Sequence, residues 1–181
     1  MRVKPQIVYL WAVALIGLLG YGIATMVLSY PADNKENIST VTKNNTPPPV
    51  TFYDAKGAKK TLEDFRGSRV LVNLWATWCT PCVAELPSLA GLKDVTVVAI
   101  SLDRNGTPEK IAEFLKKHGA SSLSVYLDTD RQIPAAWEKL YQGLPTSFLI
   151  DTRGNIAATF AGPFDWNQPE VLQRINQAEE K

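Results

Sequence analysis

The chain has 181 residues, with 19 Lys plus Arg against 18 Asp plus Glu, a formal net charge of +1 and only 2 cysteines. This balance, without a basic stripe, argues against nucleic-acid binding. Two cysteines and a single histidine exclude a disulfide-framework scaffold and leave a zinc cage, which takes about four ligands, short of donors.

No charged residue occurs from Ile7 to Tyr30. As a helix, about 24 residues at about 1.5 Å each span roughly 36 Å, enough to cross a bilayer with some tilt. Arg2, Lys4 and the amino terminus place positive charge before this run. That order predicts residues 1–6 in the cytoplasm, residues 7–30 as a single-pass signal-anchor in the inner membrane, and the rest on the periplasmic or extracytoplasmic side. Gly22 and Ala24 leave open cleavage after Ala24. The apolar run outlasts a signal core of about 7–15 residues, which favours a retained anchor. Residues 31–49 are polar and end in Pro47-Pro48-Pro49. They read as a flexible tether, stiffened at its end by polyproline geometry.

Residues 50–181 have the size of one domain with its own core. Residues 50–53 and a short partner strand flank a turn at Lys56-Gly57, an N-terminal β-hairpin extension. The Val- and Leu-rich run at 70–75 reads as a strand buried on both faces. Residues 80–92 read as a helix, with Pro81 tolerated in its first turn. A second buried strand covers 94–102. Thr107 caps a helix that stops at Gly119. A short strand at 123–127 and a short helix at 135–141 follow. Strands at 146–150 and 156–160 form a hairpin around Thr152-Arg153-Gly154-Asn155, and a last helix runs from Asn167 toward Ala178. This order describes an α/β sandwich around a central mixed sheet flanked by helices.

Trp78-Cys79-Thr80-Pro81-Cys82 contains both cysteines. A Cys-x-x-Cys pair beside a βα unit is the pattern of thiol–disulfide exchange. Cys79 falls at the strand-to-helix junction, where the helix N-terminus favours a thiolate. Cys82 lies one turn deeper. Cys79 is therefore expected to attack and Cys82 to resolve the mixed disulfide. No metal site is expected, since nothing pairs with the motif at ligand spacing and His118 falls near the end of a separate helix. A purely structural bridge is a poor alternative, because closing so short a loop removes little chain entropy.

The run Val72-Asn73-Leu74-Trp75-Ala76-Thr77-Trp78-Cys79-Thr80-Pro81-Cys82, followed by Glu85-Leu86-Pro87, resembles the TlpA/ResA branch of the thioredoxin superfamily. So do Gly143-Leu144-Pro145-Thr146-Ser147-Phe148-Leu149-Ile150-Asp151 and the lead-in from Thr61 to Gly67. The resemblance covers nearly all of residues 50–178 and implies a thioredoxin-like fold. It implies that Pro145 is a cis-proline facing the dithiol, with the Leu144 backbone pairing with an extended substrate strand. Asn73 stands where many thioredoxins carry a buried aspartate, and an amide cannot titrate. Glu85 lies three residues after Cys82 on the same helical side, and the resemblance makes it the substitute acid. Pro87 is placed like the proline that kinks the active-site helix. Trp75 and Trp78 are expected to pack around the site, Trp78 partly exposed. Trp78, Thr80, Pro81, Leu144 and Pro145 make up the expected substrate contacts.

The resemblance further implies a reductant working in an oxidising compartment. Its electron donor would be a membrane protein of the CcdA/DsbD type. Its substrates would be disulfides of apocytochrome c or of copper-assembly proteins, with no cofactor beyond the Cys79–Cys82 disulfide. Thr146 departs from the CcmG-like group, which usually has Glu after the cis-proline, and tilts the reading toward a TlpA-like reductant of broader or copper-linked use. A mild disulfide oxidase and a copper-binding assembly chaperone of the Sco type stay as alternatives. The latter spaces its cysteines one residue wider. A peroxidase needs a lone peroxidatic cysteine with Pro/Thr/Arg surroundings that this chain lacks.

Overall fold

The computed structural model describes residues 38–40, 45–140 and 143–177. The expected cytoplasmic segment 1–6, the anchor over 7–30 and the cleavage site after Ala24 lie outside the described residues. Among the described residues no helix is long and apolar enough to cross a membrane.

In chain order the elements are β1 (Ile38–Thr40), β2 (Phe52–Asp54), β3 (Lys59–Lys60), a single 3-10 turn (Leu62–Phe65), β4 (Val70–Trp75), α1 (Thr80–Leu89) and β5 (Thr96–Ser101). Then follow α2 (Pro108–Lys117), β6 (Tyr126–Leu127), α3 (Gln132–Ala136), β7 (Thr146–Ile150), β8 (Ile156–Ala161) and α4 (Pro169–Gln177). The strands form one sheet in the order β1-β8-β7-β4-β5-β6-β2-β3. β4 pairs in parallel with β5 and antiparallel with β7, so the sheet is mixed. This is the central sheet of the expected thioredoxin-like fold, and the β2–β3 hairpin is the expected N-terminal extension.

The sheet is organised around β4, which is buried at every position. Successive side chains on a strand point to opposite faces. Leu71 and Trp75 accordingly join a cluster with Leu86 and Leu89 of α1, Ile111 and Leu115 of α2, and Val171 and Ile175 of α4. Val70, Val72 and Leu74 join a second cluster with Ile133 of α3 and Trp137. Asn73 shares the face of Leu71 and Trp75, so the alternation aims a polar side chain at α1.

The strands expected over 94–102 and 123–127 are shorter, Thr96–Ser101 and Tyr126–Leu127, and three further differences have an identifiable cause. α1 ends at Leu89 rather than 92, while Pro87 inside it leaves one rung of its ladder without a donor. α3 starts at Gln132 instead of 135 because Asp128 caps it: its carboxylate accepts from Gln132 N at 2.9 Å and Ile133 N at 3.0 Å. Pro134 then falls in the first turn, where a missing N–H costs nothing. The helix also stops at Ala136, with residues 137–140 in turns, so only residues 135–136 of the helix expected over 135–141 are helical and Tyr141 lies outside the described residues.

The third difference concerns the segment read as a tether. β1 pairs antiparallel with β8, with Ile38 opposite Phe160. Ile156 N donates to Asn45 O at 2.9 Å, and the Trp137 indole donates to Pro48 O at 2.8 Å. A polar, proline-rich composition reads as linker. The edge of β8 and a buried indole N–H both require partners, however, and this stretch supplies them.

Trp137→Phe keeps a ring edge-on to Phe148, whose centroid lies 5.3 Å away, but removes the donor to Pro48. We expect urea unfolding to report a loss of about 1–2 kcal/mol. An unchanged midpoint would show that the contact does not hold this segment.

Candidate active site

β4 delivers the chain to the site, and Asp103, two residues beyond β5, fixes the turn that follows. Its carboxylate accepts from Thr77 N at 3.0 Å, from Thr77 Oγ1 at 2.6 Å and from Ser101 Oγ at 2.7 Å. The next two residues are Trp78, which is 69% exposed, and Cys79, the N-cap of α1. Cys79 and Cys82 are joined in a disulfide with Cα atoms 5.3 Å apart. Cys82 N donates to Cys79 Sγ at 3.3 Å. That N–H and the helix N-terminus would favour a Cys79 thiolate once the bond is reduced. Cys79 keeps 6% of its surface exposed and Cys82 none. A visiting sulfur therefore meets Cys79 first.

The Leu144–Pro145 peptide is cis, the geometry the resemblance implied. Pro145 is buried, and its carbonyl accepts from Gly162 N at 2.9 Å. Leu144 lines a groove of about 1290 Å³ together with Trp78, Cys79, Thr80 and Pro81. The expected contact residues thus gather around one opening, with Pro145 behind its wall. Trp75 sits beneath, fully buried among the core side chains. His118 is engaged elsewhere: its ring stacks on Phe114, and Nδ1 lies 2.8 Å from Phe114 O.

Glu85 points inward from α1 and is only 3% exposed. Oε1 accepts from Asn73 Nδ2 at 2.7 Å, and Oε2 accepts from Phe164 N at 2.9 Å. Burial pushes its pKa from the ordinary 4.5 up to about 7, against the opposing pull of the Phe164 N–H, the Asn73 amide and the Trp166 indole. The Trp166 N–H lacks hydrogen-bond geometry to any acceptor, so its pull is a weak one. Asn73 Nδ2 also donates to Ser147 Oγ at 2.8 Å, while Asn73 Oδ1 is buried without a partner. A rotated amide would turn that oxygen toward a protonated Glu85, so the network accommodates both states of the acid.

The sequence reading missed Ser147, the Phe164 N–H and Asp103. Ser147 is the register partner of Asn73 across β4 and β7. Two polar residues facing each other between apolar strands would have marked it, had the register been known. The Phe164 contribution is a backbone group and carries no side-chain signature.

A redoxin family profile matches residues 42–175. Thiol-disulfide oxidoreductase ResA of Bacillus subtilis is 34% identical over 156 residues, covering 82% of this chain and 79% of that protein. Thiol:disulfide interchange protein HelX of Rhodobacter capsulatus is 28% identical over 163 residues, covering 88% of each. Among solved structures, a thio-disulfide isomerase from Thermus thermophilus has a TM-score of 0.61 at 27% identity, covering 76% of this chain and 97% of that one.

A folded-state pKa above the unfolded value means that Glu85 takes up a proton on folding. Its contribution to stability is complete below pH about 4.5 and is lost as the pH rises through about 7. Glu85→Gln should lose this dependence and be more stable than wild type near pH ~8 by about 2 kcal/mol, read as a higher denaturant midpoint. Denaturation of the oxidised proteins near pH ~5 and ~8 checks this. Parallel pH profiles would refute it.

Proposed function

Because this chain belongs to the redoxin family, as a thiol-disulfide oxidoreductase of the ResA/HelX type, we propose that it reduces protein disulfides outside the cytoplasm. Substrates of cytochrome c maturation or of oxidase copper-site assembly fit this role. Residues 7–30 hold the protein in the membrane, with the N-terminus inside and the redox domain outside. The charge-free run and the basic residues before it support this placement.

In this reading the Cys79 thiolate attacks one sulfur of the substrate disulfide. A Cys79–substrate bond forms, and the other substrate sulfur leaves as a thiolate. Cys82 then attacks Cys79 Sγ, the mixed bond breaks and the second substrate sulfur departs. Two electrons pass to the substrate, and two protons end on its thiols. The electrons reside in the two sulfurs, so no bound cofactor is needed. A membrane dithiol donor of the CcdA/DsbD type restores the reduced pair by the same exchange in reverse.

The observation that carries this reading is the buried carboxyl of Glu85 one helical turn beyond the buried Cys82. A resolving thiol sealed from water needs a base to take its proton. An acid with a pKa near 7 takes and returns protons at neutral pH. Asn73 positions it: the amide donates to Glu85 and does not titrate. Leu144, held by the cis bond at the rim of the groove, offers its backbone to an extended substrate segment. Trp78 and Pro81, which line the groove with Cys79, provide apolar contact for the substrate.

Full-length Cys82→Ser, recovered from membranes, should carry partner proteins on Cys79 that dithiothreitol releases, while Cys79→Ser carries none. A shortened, soluble product would overturn the anchor. Absence of adducts under oxidising conditions would overturn the mixed-disulfide route.

A further inference from the structure

The groove beside Cys79 carries charge that the exchange chemistry does not use. Its lining includes Arg104, Lys110 and Arg131, with Asp103 as the opposing carboxylate. Both Asp103 oxygens are already engaged by Thr77 and Ser101. The three cations are exposed, and none has an ion-pair partner among the described residues. Nearby acids are occupied elsewhere: Asp130 accepts from the Tyr53 hydroxyl at 2.6 Å, and the Glu109 carboxylate interacts with Thr107 and its own backbone. Asp128 feels the field of Arg131 but spends its oxygens on the N-terminus of α3. The whole chain has a formal charge of only +1, so this concentration is local.

Arg131 adds a second observation. Its φ of 56° lies in the left-handed region, which glycine adopts with less strain. The local backbone therefore gives no reason for an arginine, and the residue lines the groove. The groove is larger than the roughly 300–1,000 Å³ of small-molecule sites and suits a peptide segment.

We propose that the groove selects protein substrates whose disulfide cysteine is flanked by Asp or Glu, with Arg104, Lys110 and Arg131 as the specificity-determining residues. The inference rests on the reductase reading above. Opposite charges across a forming interface raise the encounter rate and disfavour partners of like charge. The acidic flank would lie along the groove while its cysteine meets Cys79 beside Trp78.

The test uses reduced full-length protein and synthetic disulfide peptides of one sequence. These carry either Glu or Lys beside the cysteine, or the same Glu residues moved far from it. We expect exchange with the adjacent-Glu peptide to be on the order of tenfold faster than with the Lys peptide at low salt, with the difference shrinking as salt rises. In Arg104→Glu/Lys110→Glu the ratio should invert. Each ratio is read within one protein sample, so partial unfolding cannot imitate the inversion. Equal rates, an equal advantage for distant Glu, or a ratio unchanged in the variant would overturn this inference alone. No exchange with any peptide would overturn the reductase reading and this inference together.

Discussion

The structure turns on one buried carboxylate. Glu85 reaches from α1 into the core and is held between the Asn73 amide of β4 and the Phe164 N–H that follows β8. An ionised group in such a place is costly unless its hydrogen bonds are satisfied. Two donors offset part of that cost, and burial leaves the acid near neutral pH in its titration. The same contacts tie the active-site helix to the centre of the sheet and to the segment that leads into α4. Ser88 reinforces this tie, donating to Glu85 O and accepting from Trp166 N. Tertiary packing and the proposed proton transfer therefore share the same atoms.

The remaining features arrange sulfur around this acid. The apolar β4 demands burial on both faces, which fixes the height at which the chain emerges at Ala76. Asp103 clamps the turn, and Cys79 becomes the N-cap of α1. One helical turn separates a slightly exposed sulfur from a sealed one, and the proposed division between attack and resolution follows this gradient. The wall with the cis bond faces the opening from the opposite edge of β4, because β7 pairs there. The groove between them joins apolar contact at Trp78 and Pro81 to positive charge at Arg104, Lys110 and Arg131.

Much of this was legible from residues alone. β4 and α1 were readable because a long apolar run and a proline in the first helical turn each have a local cause. A spacing of three placed Glu85 on the side of Cys82, and the family resemblance supplied its role as the acid. β1 was not, since Ile-Ser-Thr in a polar stretch becomes a strand only when β8 offers an edge. α3 began early because Asp128, a residue of the preceding loop, supplied its cap. Ser147 needed the register, and the Phe164 N–H needed the path of the chain after β8. The groove's cations come from three separate segments, after β5, on α2 and before α3, so no charge run announces them.

In the proposed mechanism Glu85 exchanges its proton near neutral pH because the core surrounds it. The most direct measurement is a carbon-13 NMR titration of the Glu85 carboxyl in the oxidised full-length protein. A midpoint near 7 is expected, whereas a midpoint at the ordinary value of 4.5 would show that the core does not raise it.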